Sequence, residues 1–123
     1  MENIDLLITL TKHENDANNV TIAFTMGLKA LEKGHDVELI LLSDAVHLAS
    51  KGYGDKIDIG QPFKPVKELI PKFLEAGGRL KVCSSCMIHN KVKEEDLLDK
   101  SDIISADYVI DALMASKKSL QLN

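Results

Sequence analysis

The sequence predicts a single α/β domain over residues 1–123, a three-layer sandwich with a mostly parallel sheet of about five strands flanked by helices. Three observations predict it. Apolar runs of strand length alternate with longer segments of helical period. Glycines punctuate the ends of those segments. No internal repeat, low-complexity stretch or linker divides the 123 residues.

The elements follow in order. Ile4 to Leu10 is apolar except for Asp5 and Thr9 and reads as a buried strand. Asn15 or Asp16 caps a helix whose Val20, Ala23, Phe24, Gly27, Leu28 and Leu31 form one apolar face. Gly34 stops it. Val37 to Leu42 is a second buried strand, which completes a βαβ unit. Ser43 and Asp44 can cap a short helical segment through Ala49, and Lys51 to Lys64 is the longest irregular stretch.

Pro65 opens another helix with Val66, Leu69, Ile70, Phe73 and Leu74 inward; Pro71 inside it predicts a kink or a later start. Gly77-Gly78 ends it and Arg79 to Val82 is the third strand. A helical turn is expected over Cys86 to Asn90, a short helix over Lys93 to Leu98 and a very short strand at Ile103-Ile104. Ser105 caps a helix over Ala106 to Ser116, with Val109, Ile110, Leu113 and Met114 inward. Ser119 to Leu122 is a final strand.

Composition excludes several classes of partner. The formal net charge is -4 and the basic residues are scattered, which argues against nucleic acid. No apolar stretch approaches the roughly 20 residues that span a bilayer. Met1 to Asp5 carries no positive segment or cleavage site of a signal peptide, so a cytoplasmic location is expected. With 4% aromatic residues and no Trp, the core must be built from Leu, Ile, Val and Ala.

The chemistry-bearing motif is Cys83-Ser84-Ser85-Cys86, which contains the only two cysteines. It follows an apolar strand, and the carboxyl ends of strands are where open α/β sheets bind and react. In a reducing compartment such a pair points to catalysis or metal rather than a staple. Three readings stand. A thiolate stabilised by backbone amides at a helix start is a working nucleophile. Cys83, Cys86 and His89 form C-x-x-C-x-x-H, three ligands toward a metal site that would need a fourth. Both cysteines can also be small apolar core residues.

The other candidates are weaker. His13, after the first strand, shares a sheet edge with the cysteines but reads first as a solvated loop residue. His35 adjoins a helix end, where a cation is favourable. His47 is undecided. Asp44 stands where dinucleotide folds hold a ribose, but the turn Thr9 to Glu14 has no glycine, so Asp44 reads as a helix cap. No cofactor is implied. Glu94, Glu95 and Asp96 read as a solvated helix start.

Taken together, the chain resembles the DsrE/DsrF-like family of small sulfur-relay proteins, which includes the TusD-type subunits. The resemblance rests on the Ile4–Leu10 strand, the helix ending in Glu32-Lys33-Gly34-His35 and the strand leading to Ser43-Asp44-Ala45-Val46. It continues through Gly77-Gly78-Arg79-Leu80-Lys81-Val82-Cys83-Ser84-Ser85-Cys86 and the closing helix and strand. It implies a persulfide carried on Cys83, with Cys86 as a resolving thiol, and sulfur-donor and sulfur-acceptor proteins as partners. It also implies a homo-oligomer, trimer or hexamer. Relatives often continue after the second cysteine into a small-and-basic run ending in Arg-Gly; here the run is Met87-Ile88-His89-Asn90-Lys91. The expected function is a cytoplasmic sulfur carrier or thiol-exchange protein. The alternatives are a non-catalytic assembly module and a metal-binding protein using Cys83, Cys86 and His89.

Overall fold

The computed structural model describes residues 1–123. Five strands, β1 (Leu6–Leu10), β2 (Val37–Leu41), β3 (Arg79–Cys83), β4 (Ser101–Ile104) and β5 (Lys118–Leu122), form one sheet in the order β4-β3-β2-β1-β5. Every pairing is parallel, with Leu6 opposite Val37 and Lys118, Glu38 opposite Arg79, and Leu80 opposite Ser101. The helices are α1 (Ala17–Glu32), α2 (Val66–Glu75), α3 (Ser84–Asn90) and α4 (Ala106–Ala115). Short 3-10 turns span Ser43–Ala49, Tyr53–Lys56 and Glu94–Asp96.

The topology explains the layers. From β1 to β4 the chain steps across the sheet in one direction, then returns to pair β5 with β1. Right-handed crossovers of opposite direction place their helices on opposite faces. The main core accordingly joins Ile8, Leu10, Leu39, Leu41, Leu80 and Val82 to Phe24 of α1 and Phe73 of α2. A smaller core joins Ile4, Leu7, Ile40 and Ile104 to Val109 and Ala112 of α4.

Local chemistry matches the expected boundaries at several points. Asp16 Oδ1 accepts from the Asn19 amide at the start of α1, and Ser105 Oγ accepts from the Tyr108 amide at the start of α4. At the amino edge of the sheet, Asp5 accepts from Lys117 Nζ (2.8 Å), the Asp36 amide (2.8 Å) and Asn3 Nδ2 (3.0 Å). These donors, Lys117 foremost, hold its carboxyl well below the usual carboxylate range.

Other expectations are corrected. Pro71 does not delay α2, which starts at Val66 with the proline inside it. It sits on the exposed side, where water can satisfy the carbonyl its missing N–H leaves free. The helix after the cysteines begins at Ser84 rather than Cys86, and Lys93 to Leu98 holds only a 3-10 turn. On α4, Val109 and Ala112 are buried, but Ile110 is 59% exposed and Met114 82% exposed. Helical period marks an apolar stripe; here no second helix lies beside α4 to cover its full width.

Packing is tightest around Phe73. Its ring meets Phe24 edge-on, with centroids 5.7 Å apart. A Cβ placed on Gly78 would stand 2.5 Å from Phe73 Cζ, and one on Gly27 would stand 2.8 Å from Phe73 Cε1. Phe73 is fully buried. Gly78→Ala is therefore expected to destabilise the fold by about 1–3 kcal/mol, read as a lower denaturant midpoint with an unchanged slope.

Candidate functional site

All strands point the same way, so the segments following β1, β2 and β3 meet at one rim. Cys83 ends β3 and caps α3, with φ -65° and ψ 121°. Its residue is only 6% exposed and joins the main core. Its Sγ accepts from the Cys86 amide at 3.4 Å. Cys86, one turn into α3, is half-buried. Its Sγ accepts from the Ser43 amide at 3.1 Å. Both thiols are free.

Ser43 follows β2 and adopts the left-handed region, φ +54°. Asn90, the last residue of α3, reaches back over the pair. Its Nδ2 donates to the Cys86 carbonyl (2.9 Å) and the Ser43 carbonyl (3.4 Å). Its Oδ1 lies 3.2 Å from His47 Nε2. The His47 ring stacks on Tyr53, with centroids 5.2 Å apart, and meets His13 edge-on at 6.1 Å. His13 Nε2 lies 3.7 Å from Asp44 Oδ2. The rim thus carries two thiols, each facing a backbone amide, beside an imidazole–phenol stack.

Opposing influences act on the Cys86 thiol. Burial pushes the Cys86 thiol up, and its hydrogen bond with Cys83 pushes it further; the Ser43 amide pulls the other way. The net direction for Cys86 is upward, burial being the largest cause.

Several sequence expectations resolve here. His13 is brought to the rim instead of standing alone in a solvated loop. Asp44 does not cap the segment after β2: no side chain caps it, and the carboxylate faces His13. His35 stands at the end of α1, 4.0 Å from Asp5. Exposed His89 joins no ligand set with Cys83 and Cys86, because no three His, Cys, Asp or Glu side chains gather closely enough to hold a metal ion. Sequence reading missed Ser43, Tyr53 and Asn90 as members of the cluster. The four-residue step from Cys86 to Asn90 on one helix was the available signal for Asn90.

Comparison with known proteins gives a consistent picture. The model of the DsrE/DsrF-like family matches residues 5–122. No curated protein sequence matches the chain. Among solved structures, the YchN protein of E. coli superimposes with a TM-score of 0.79 at 15% identity, covering 96% of this chain and 98% of YchN. Protein MTH1491 of Methanobacterium thermoautotrophicum, described as of unknown function, gives 0.68 at 13% identity over 95% and 99% of the two chains. BT1422 of Bacteroides thetaiotaomicron, a conserved protein also described as of unknown function, gives 0.69 at 16% identity over 95% and 94%. At these identities the likeness is one of fold.

Cys86 alkylation by iodoacetamide is expected to keep accelerating with pH above the ordinary thiol range of about 8.5. Cys83→Ala removes the neighbouring sulfur and should move the Cys86 midpoint downward. Residue-resolved mass spectrometry across a pH series reads both; a midpoint unmoved by Cys83→Ala contradicts the coupling.

Proposed function

This chain belongs to the DsrE/DsrF-like family, and from that premise we propose that it is a sulfur carrier working through the Cys83–Cys86 pair. The observation that carries the reading is the pair itself: two free thiols at the carboxyl rim, each sulfur receiving a backbone N–H. Amide donors of this kind stabilise anionic sulfur, the reactive form in exchange chemistry.

In the proposed cycle, the Cys83 thiolate attacks the outer sulfur of a donor persulfide. A new S–S bond forms on Cys83, and the donor leaves as a thiolate. The outer sulfur can then pass to an acceptor thiolate by the same displacement. Alternatively, Cys86 in its thiolate form attacks the inner sulfur of the Cys83 persulfide. That step forms the Cys83–Cys86 disulfide and expels hydrosulfide. The two cysteines are oxidised and the departing sulfur is reduced by two electrons, so a cellular dithiol must restore the pair. Cys86 suits the second role because it stands one helical turn after Cys83, with its own amide donating to the Cys83 sulfur at 3.4 Å. The small exposure of Cys83 restricts loading to donors that fit at the rim.

Donor and acceptor proteins are the proposed partners, in the cytoplasm. No helix of the chain is long and apolar enough to cross a membrane. A homo-oligomer, trimer or hexamer, is part of the proposal; exposed Ile110 and Met114 on α4 support it.

Incubation with a persulfide donor should add one sulfur atom to the intact chain, seen by mass spectrometry. Cys83→Ser is expected to abolish this gain, and Cys86→Ser to retain loading while slowing sulfide release by at least about tenfold. An unloaded, folded wild-type chain would sink the carrier reading. The double serine chain should keep its oligomeric mass in light scattering; lost activity with unchanged assembly separates a carrier from an assembly module.

A further inference from the structure

We propose that Asn90, oriented by His47, is a positioning residue that holds the Ser43 backbone amide on the Cys86 sulfur. Asn90 has two amide hydrogens and directs them at two carbonyls, those of Cys86 and Ser43. Its oxygen is thereby turned toward His47 Nε2. An amide oxygen only accepts, so His47 must carry its proton on Nε2. That requirement is met by the imidazolium and by one neutral tautomer alike.

The need for a latch comes from Ser43. A left-handed backbone is disfavoured for any residue with a Cβ. The turn is tied on either side, by the Leu42 amide on the Leu10 carbonyl (2.9 Å) and the Ala45 amide on the Leu42 carbonyl (3.1 Å). Between those ties, Asn90 Nδ2 grips the Ser43 carbonyl. With that grip in place the Ser43 N–H stands 3.1 Å from Cys86 Sγ. His47 is itself fixed by stacking on Tyr53 (interplanar angle 21°), and the Tyr53 hydroxyl is 3.5 Å from Glu14 Oε1. A line of contacts thus runs from the loop after β1 to the sulfur. Cys83 on β3 contacts Cys86 directly, and the titratable groups along the line beyond Asn90 are His47 and Asp44 after β2, His13 and Glu14 after β1, and Tyr53.

The function of this arrangement is to favour the Cys86 thiolate at the moment it must attack, against the burial and the neighbouring sulfur that oppose it. That consequence for sulfur release rests on the carrier reading; the placement of the amide does not.

The test is the pH profile of Cys86 alkylation by iodoacetamide, followed residue by residue, with thermal unfolding measured alongside. Asn90→Ala should slow alkylation about tenfold below the thiol midpoint and leave the high-pH plateau unchanged. His47→Leu should slow it in the same direction. His47→Gln, which keeps an N–H donor for the Asn90 oxygen, should restore most of the rate. A general loosening of α3 would expose the sulfur and speed alkylation, the opposite sign. An unchanged or faster Cys86 in Asn90→Ala or His47→Leu overturns the proposal. The assay needs no sulfur donor, so a wild-type chain that fails to load sulfur while Asn90→Ala slows alkylation would reject the carrier and retain the latch.

Discussion

Parallel pairing is the constraint on which the site depends. Antiparallel neighbours would send the segments after β1, β2 and β3 to alternating edges of the sheet. With every strand aligned, they converge on a single rim, and His13, Ser43, His47 and Cys83 become neighbours despite their separation in the chain. Parallel sheets need cover on both faces. The α1 and α2 side supplies most of it through Phe24, Phe73 and the Leu and Ile residues around them.

The opposite face solves the same demand differently. There α4 stands over a sheet that contains Glu38, fully buried. The Glu38 carboxylate accepts from Arg79 Nε (3.0 Å) and from the Tyr108 hydroxyl (2.8 Å). Burial and this carboxylate push the Tyr108 hydroxyl well above the usual tyrosine range. Lys81 lies 5.5 Å from the Tyr108 ring centroid and bonds Asp102 at 2.9 Å. A buried charge of this kind is tolerable only when its acceptors are filled. The network therefore ties α4 to β2 and β3 through polar contacts where the apolar contact of Val109 and Ala112 is narrow.

Legibility differed between the two halves of the problem. Strand and helix identity came through because burial of a strand or of one helix face imposes a period on neighbouring residues. Caps at Asp16 and Ser105 were readable for the same local reason. Expectation failed where a local pattern depended on distant cover. Ile110 and Met114 continue the apolar stripe of α4 yet face outward, and α2 starts at Val66 rather than after Pro71, whose side faces water. The thiol pair was visible in the sequence, since both sulfurs belong to one short motif. The latch was not, since Ser43 and Asn90 lie 47 residues apart and carry no motif.

By itself, then, the order of amino acids determined the α/β alternation, the place of Cys83 at a strand end and the spacing that sets Cys86 one turn later. These are short-range consequences of periodicity, turn preference and helix geometry. Tertiary structure alone decided which thiol is buried, which amide faces which sulfur and which histidines share the rim. Those depend on strand order and on the turn of the backbone at Ser43, and neither leaves a mark in the local run of residues.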